Sequence, residues 1–389
     1  MYHSEPKTFQ VALTTMSLLQ YLWPLFTAEK KTSDVQLIRH DGVVHDPLGA
    51  GSYVFQKRLT SHLMQYCASH RPIIINVGVQ PNSVPHMGNI VTLAVAFILA
   101  QHIRDEDMEA RNIQIILDIV DTAPSNQEEI EKTKYQRSQR HTGEMEDYIP
   151  EFKDVLEALQ EYTSVPYQIR TQKEFLSHPD IPHVIGEIIQ RREELGKSLA
   201  PETGRLAIRA ACPVAGCGLA DKHGMRNVYE EGKIRFHCPK HGEHTVDITL
   251  SADVSRLEFN TPLRNLVRAL KAACDTDVTC IRVTGADYAG YYQEQLLWRH
   301  IARNPVLIFY SPLIVDWSGA KLSKSLYVRE GAYKYLEEQN LDYMLSFKRF
   351  KEQGKNLQVI FEEVKDWVDH PYKLFRSYSI HYMASLFAS

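Results

Sequence analysis

Short apolar runs alternate with longer segments of helical periodicity through most of the chain. Residues 73–79, Ile-Ile-Ile-Asn-Val-Gly-Val, have the length and β-branched content of a buried strand. A loop follows, and residues 90–103 then read as an apolar helix. Residues 113–120 form a second isoleucine-rich run, the pattern of a strand covered on both faces. Residues 127–138 are strongly polar and predict an exposed helix or a mobile loop. Helices are expected at 148–162 and 181–195, with a short strand at 166–171 between them. A strand at 279–283 runs into Gly285-Ala286-Asp287, a helix follows at 291–303, and 305–315 is strand-like. Residues 330–389 are helical in pattern. Ahead of the first strand lie an apolar helical stretch at 9–26, a glycine-rich stretch at 46–51 and an amphipathic helix at 53–70. Strands alternating with helices in this way predict an α/β fold with a parallel sheet and flanking helices. No internal repeat or low-complexity segment interrupts it.

Composition narrows the class. The chain has 389 residues, enough for two or three domains, and is 44% hydrophobic and 24% charged, as in an ordinary soluble enzyme. Its formal charge of −4 gives no global basic field, so any RNA contact must use local patches such as the lysine- and arginine-rich stretch 321–355. No continuous apolar run reaches a membrane span, and no basic and apolar leader is evident at the N-terminus. No membrane association and a cytoplasmic location are the expectations. Nothing in the pattern sets the oligomeric state.

Half of the six cysteines cluster. Cys212 and Cys217 precede Cys238-Pro-Lys-His241 by about twenty residues, with two short predicted strands between them turning at Glu231-Gly232. Two knuckles flanking a hairpin form a zinc-ribbon layout, since each tight turn presents two ligands to tetrahedral zinc. Cys212, Cys217 and Cys238 are the clear ligands. His241 is the expected fourth, by knuckle spacing, with His244 and His223 as rivals. Four ligands leave no open position, so the zinc is read as structural. Cys67, Cys274 and Cys280 stand apart and read as buried thiols, since a free cysteine packs as a small hydrophobe.

Two further segments carry candidate chemistry. His86-Met87-Gly88-Asn89 lies between the first strand and its helix, where unpaired N–H groups and a partial positive charge favour phosphate. Gly88 lets a nucleotide base approach the helix backbone. Far downstream, Lys321-Leu-Ser323-Lys324-Ser325 puts two lysines and two serines on one loop, suited to a triphosphate losing pyrophosphate. Asp287, at a predicted strand end, could bond a ribose hydroxyl or make a local turn. Asp118 and Asp121 end the second strand; they could bind an ammonium or guanidinium group, or cap the next helix. Tyr288, Tyr291, Tyr292 and Gln295 could line a side-chain pocket or pack a helix.

These segments resemble a known family. Pro81-x4-His86-Met-Gly88-Asn89 is similar to the HIGH signature of class I aminoacyl-tRNA synthetases, and Lys321 to Ser325 resembles their KMSKS loop. Asn89 matches the form found in class I lysyl-tRNA synthetases. The zinc insertion, Asp253 in Ala252-Asp253-Val254, and Gly285-Ala-Asp287 fall where that family has comparable features. The resemblance implies a Rossmann-like HUP catalytic domain interrupted by a zinc ribbon. It divides the chain into a helical lead-in (1–72), a first catalytic half with a helical insertion (73–205), the zinc ribbon (206–250), a second half with the signature loop (251–330) and a short helical region (331–389). It implies His86, Asn89, Lys321 and Lys324 as catalytic residues. Gly78, Pro81, Gly88, Gly285, Asp287, Ser323 and Ser325 would bind nucleotide. Asp118, Asp121, Asp253, Tyr288, Tyr291, Tyr292 and Gln295 would bind the amino acid. ATP and Mg2+ are the implied cofactors, or the terminal adenosine of a tRNA in the same pocket. The implied partners are a tRNA acceptor end and a basic amino acid, arginine or lysine.

The family continues into a large anticodon-binding region, and only about 60 residues follow the signature loop here. The expectation is therefore a repurposed core. It resembles the fungal arginine-containing cyclodipeptide synthases, which build a diketopiperazine from aminoacyl-tRNA. The alternative is an ATP-dependent lysine- or arginine-tRNA ligase acting through an aminoacyl-adenylate.

Overall fold

The computed structural model describes residues 59–289, 307–322 and 333–388. The expected helix at 9–26, the glycine-rich stretch at 46–51 and the whole of the helix expected at 291–303 lie outside these residues, as do Ser323, Lys324, Ser325, Tyr291, Tyr292 and Gln295.

The central sheet is five-stranded and wholly parallel: β1 (Ile73–Val79), β2 (Ile113–Ile119), β5 (Tyr167–Thr171), β12 (Thr279–Gly285) and β13 (Leu307–Ser311), in the order β13-β12-β1-β2-β5. β1 is the middle strand. The chain first builds outward from it through β2 to β5, then returns to lay β12 and β13 on its other side. That order makes the fold doubly wound α/β, with its switch point between β1 and β12.

The helix Met87–Glu106 joins β1 to β2 and is apolar nearly all round, with Ile90, Leu93, Phe97, Ile98 and Ile103 fully buried. A helix buried on every side needs no amphipathic stripe. By length and composition it could cross a membrane, but here it is the core helix of the sheet. Helices Ile149–Thr163 and Leu357–Asp369 pack against it. Trp367, on the latter, is fully buried and stacks on Tyr378, ring centroids 4.0 Å apart. Residues 333–388 thus complete the core of the sheet domain rather than forming a separate appendage.

Four expectations are corrected. Of the cysteines expected to be buried, Cys67 is, Cys280 is half-buried and Cys274 is exposed. The polar stretch 127–138 is neither helix nor loop: it belongs to an antiparallel hairpin of β3 (Pro124–Ile130) and β4 (Thr133–Ser138). Its turn uses Glu131 and Lys132 at φ 47° and 63°, so the glycine or asparagine that marks most such turns is missing. The hairpin pairs through β4 with β7 (Ala220–Asp221) of the cysteine module. The helix expected over 181–195 is two, Ile181–Gln190 and Arg192–Leu199, broken at Arg191. The helix expected over 53–70 spans only Leu59–Met64 among the described residues.

The cysteine module contains a three-stranded antiparallel sheet, β8 (Val228–Glu230), β9 (Lys233–Cys238) and β10 (Gly242–Asp247). Ile234, Phe236 and Val246 from it join a second apolar core with helix Ile181–Gln190 and one face of helix Thr261–Cys274. The opposite side of that last helix carries Arg264 and Arg268 to the edge of the central sheet.

Candidate functional site

A cleft of about 320 Å³ opens at the C-terminal ends of β1 and β12, the switch point of the sheet. That is the usual ligand position in this architecture, and the volume suits a small molecule or cofactor. His86, Gly88 and Asn89 line one side, Gly285 and Tyr288 another, and Lys321 closes over it.

The first side is a helix N-terminus. His86 has extended backbone, and its ring Nδ1 accepts the Gly88 N–H at 3.1 Å. Asn89 Oδ1 accepts the His86 N–H at 3.2 Å, closing a reciprocal cap. The pairing gives Asn89 a structural reason of its own. It also changes the reading of Gly88. A Cβ there would lie 3.0 Å from the His86 ring, so the glycine makes room for that ring before any base is considered. Phe347 donates its N–H to Pro85 O at 2.8 Å, so the C-terminal segment steadies the loop that carries His86. Gly78, on β1, lines the cleft, whereas Pro81 is buried in the loop beyond it.

Lys321 follows a tight turn built on Asp316, whose Oδ1 accepts from Ser318 N, Ser318 Oγ and Ala320 N at 2.8, 2.6 and 3.1 Å. Gly319 occupies a left-handed conformation, φ 82°, within it. Lys321 Nζ donates to Asp287 Oδ2 at 2.6 Å and lies 5.6 Å from the Tyr288 ring centroid. A Cβ on Gly285 would come within 2.5 Å of Asp287 Oδ1, so only glycine lets Asp287 fold back towards the cleft.

The carboxylates expected to hold a cationic substrate are already engaged. Asp118 is fully buried. It accepts Arg170 Nε and Asn76 Nδ2, each at 2.8 Å, and stands 3.4 Å from Arg268 Nε. Burial alone would raise its pKa, but Arg268, Arg170 and the hydrogen bonds outweigh that and hold it below the usual carboxylate range. Asp121 is buried and gripped by Arg140 through two hydrogen bonds of 2.9 and 3.0 Å. Asp253 accepts the Asp247 N–H at 3.0 Å, which pins the end of β10, and is not among the cleft residues. What single residue types did not signal is the set of cleft arginines, Arg264, Arg268 and Arg282. Their only trace in sequence is the i, i+4 spacing of two arginines on one helix and a lone arginine inside a strand.

In the cysteine module, Cys212, Cys217, Cys238 and His241 bring their ligand atoms within 4.8 Å of one another. Cys212 Sγ to His241 Nδ1 is 3.4 Å, Cys217 Sγ to Cys238 Sγ 3.7 Å and Cys238 Sγ to His241 Nδ1 3.7 Å. Tetrahedral zinc with bonds of about 2.1–2.3 Å sets its ligand atoms roughly 3.4–3.8 Å apart, and these three separations match it. His244 instead points Nε2 at Ala210 O and stacks on Phe236, and His223 lies outside the group. Buried Tyr135 of the hairpin packs on the three cysteines, and Arg137 Nε donates to Cys217 O at 2.7 Å.

No family profile and no curated protein sequence matches this chain. Solved structures align with parts of the chain. A provisionally assigned arginyl-tRNA synthetase from Campylobacter jejuni aligns at 9% identity and TM-score 0.32, over 75% of this chain and 67% of that one. A glutamate tRNA ligase from Elizabethkingia meningosepticum aligns at 17% and 0.32, over 67% and 52%. A glutamate-tRNA synthetase from Elizabethkingia anophelis aligns at 16% and 0.31, over 67% and 53%. The alignments therefore span about half the length of the two glutamate proteins.

Proposed function

We propose that the cleft binds an adenosine phosphate and that the protein is an aminoacyl-transfer enzyme built on a synthetase-type core. The observation that carries this reading is the meeting of two phosphate-seeking elements in one switch-point cleft. These are the N-terminus of the 20-residue helix Met87–Glu106 at His86 and Gly88, and the Lys321 ammonium across from it. Asp287, just past the end of β12 and not itself a lining residue of the cleft, accepts from Lys321. When a nucleotide enters, Lys321 exchanges the Asp287 carboxylate for phosphate oxygen, and Asp287 becomes free to accept a ribose hydroxyl. Ser323, Lys324 and Ser325 follow Lys321 in the sequence and are assigned to the same phosphates. Magnesium bound together with the triphosphate would offset its charge. The zinc, held by Cys212, Cys217, Cys238 and His241, is assigned a structural role.

Activation would proceed by attack of the amino-acid carboxylate on the α-phosphate, with pyrophosphate leaving and an aminoacyl-adenylate formed. His86, Asn89 and Lys321 would meet the charge developing on the phosphates. The diketopiperazine reading uses the same cleft for the terminal adenosine of an aminoacyl-tRNA. One amine attacks the other ester to form the first amide and release one tRNA; ring closure then forms the second amide and releases the other. An arginine or lysine substrate would need a carboxylate other than Asp118 or Asp121, since both are already engaged by arginines.

Exchange of labelled pyrophosphate into ATP, followed over a panel of amino acids, tests the reading. Exchange without a dipeptide supports the ligase. A cyclic dipeptide formed from charged tRNAs after ATP depletion supports the synthase. Absence of both pyrophosphate exchange and dipeptide would overturn the aminoacyl-transfer assignment.

A further inference from the structure

The inner end of the same cleft carries Arg268 and Arg282, and Arg170 lines the neighbouring pocket that shares Arg268 with it. Arg170 and Arg268 both face Asp118, at 2.8 and 3.4 Å. Arg282 Nη1 donates to Asn76 Oδ1 at 2.7 Å, and Asn76 in turn donates to Asp118. Arg282 itself meets no carboxylate among the described residues. Two guanidinium groups thus share one carboxylate, and the third reaches it only through Asn76. Arg268 is only 7% exposed, and its Nε makes no hydrogen bond. Burying unbalanced charge is costly, so the arrangement calls for a counter-charge supplied from outside the protein.

Two of these groups converge on one spot. A Cβ on Gly78 would lie 3.1 Å from Arg268 Nη1 and 3.1 Å from Arg282 Nη2. Glycine there leaves the floor of the cleft open beneath both. A side recess of about 40 Å³ shares Arg268, Arg282, Thr284 and Tyr288 with the cleft and adds Tyr310. That is room for roughly three water-sized groups. The Tyr310 hydroxyl is buried without a hydrogen-bond partner. Burial pushes its pKa up to about 12, so it remains a neutral donor.

We infer that this recess binds a carboxylate of the substrate, with Arg282, Arg268 and Tyr310 as its donors. The inference rests on the aminoacyl-transfer reading of the cleft. An arginine pair with a hydroxyl suits a planar two-oxygen anion, which can accept from both sides at once. The carboxylate is either the acidic side chain of the amino acid or its free α-carboxylate. A cationic side chain is disfavoured here, because Arg268 and Arg282 would repel it.

Calorimetric titration of the full-length protein separates the sources. The ligands are L-glutamate, L-aspartate, L-glutamine, L-glutamine amide, L-arginine and inorganic phosphate. Binding of glutamate or aspartate alone assigns the recess to an acidic side chain. Binding of every free amino acid tested, but not of glutamine amide, assigns it to the α-carboxylate. In either case Arg282→Gln should weaken binding about tenfold or more, and Tyr310→Phe by less. Arg282→Gln replaces a partly exposed group and Tyr310→Phe removes only a buried hydroxyl, and a thermal melt checks the folding of both. Carboxylate binding unchanged in Arg282→Gln, or phosphate binding with no carboxylate ligand bound, overturns the proposal. Titration of AMP on the same samples reports the nucleotide reading separately: carboxylate binding without AMP binding keeps the recess and removes the nucleotide.

Discussion

Lys321 and Asp287 meet at 2.6 Å across the mouth of the cleft, joining the loop after β14 (Ile314–Val315) to the end of β12. Both side chains are partly exposed, so the pair adds little stability, about 0–1 kcal/mol. Its value lies in where it leaves the ammonium. Lys321→Ala should leave the melting temperature nearly unchanged while lowering pyrophosphate exchange about 100-fold. A loss of stability matching the loss of rate would make the lysine structural.

Gly285→Ala tests the other half of the pair. The new methyl group would sit 2.5 Å from Asp287 Oδ1, so Asp287 must swing away. The expected result is weaker AMP binding with an unchanged fold, read by titration and circular dichroism. Unchanged AMP affinity would remove Asp287 from the nucleotide site.

Arg268 carries a pH signature. Burial comes first among the causes, and Arg282, Arg264 and Arg170 add repulsion; Asp118 opposes them, and the net effect is a pKa of about 9. The group stays cationic at pH 7. Its folded value lies below its unfolded one, so its charge destabilises the fold fully below about pH 9. That penalty is relieved as pH rises from there towards the unfolded value. An anion filling the recess offsets the same penalty. Sulfate, compared with chloride at equal ionic strength, should therefore raise the melting temperature more at pH 7.5 than at pH 10. An equal shift at both values would detach the effect from Arg268.

The cysteine cluster predicts about one tightly bound zinc per chain, measured by elemental analysis. Cys238→Ser should lose the metal and lower the melting temperature sharply, because binding free energy is folding free energy in such modules. His244→Ala should keep the zinc. Metal retained by Cys238→Ser, or lost by His244→Ala, would contradict the ligand assignment.

Trp367 tests whether residues 333–388 belong to the core. It is fully buried and stacked on Tyr378, and its Nε1 donates to Glu363 at 2.6 Å. Trp367→Ala should cost about 3–5 kcal/mol in denaturant unfolding. A second, separate transition for this segment would show that it folds apart.

Much of the frame is legible from local pattern. The runs beginning at Ile73 and Ile113 announce parallel strands because both faces are buried, and the capped start at His86 follows from the change of periodicity. The knuckle spacing brings Cys212, Cys217, Cys238 and His241 together without any long-range knowledge. The hairpin over 124–138 was hidden because its stability comes from pairing with β7 and from Tyr135 packed on the cysteines, and its turn at Glu131-Lys132 lacks the usual residues. The partners of Asp118 were hidden for the same kind of reason. Arg170, Arg268 and Arg282 come from three separate elements, and only the strand order brings them together. Aspartates at a strand end read equally as ligand and as structure until those arginines are located.

The most direct test of the central claim is titration of ATP with magnesium into the full-length protein and into Lys321→Ala. The account predicts saturable one-to-one binding to the former, weakened at least tenfold in the latter and displaced by AMP. Absence of ATP and AMP binding to the unaltered protein, or equal affinity in both proteins, would contradict the assignment of this cleft to an adenosine phosphate.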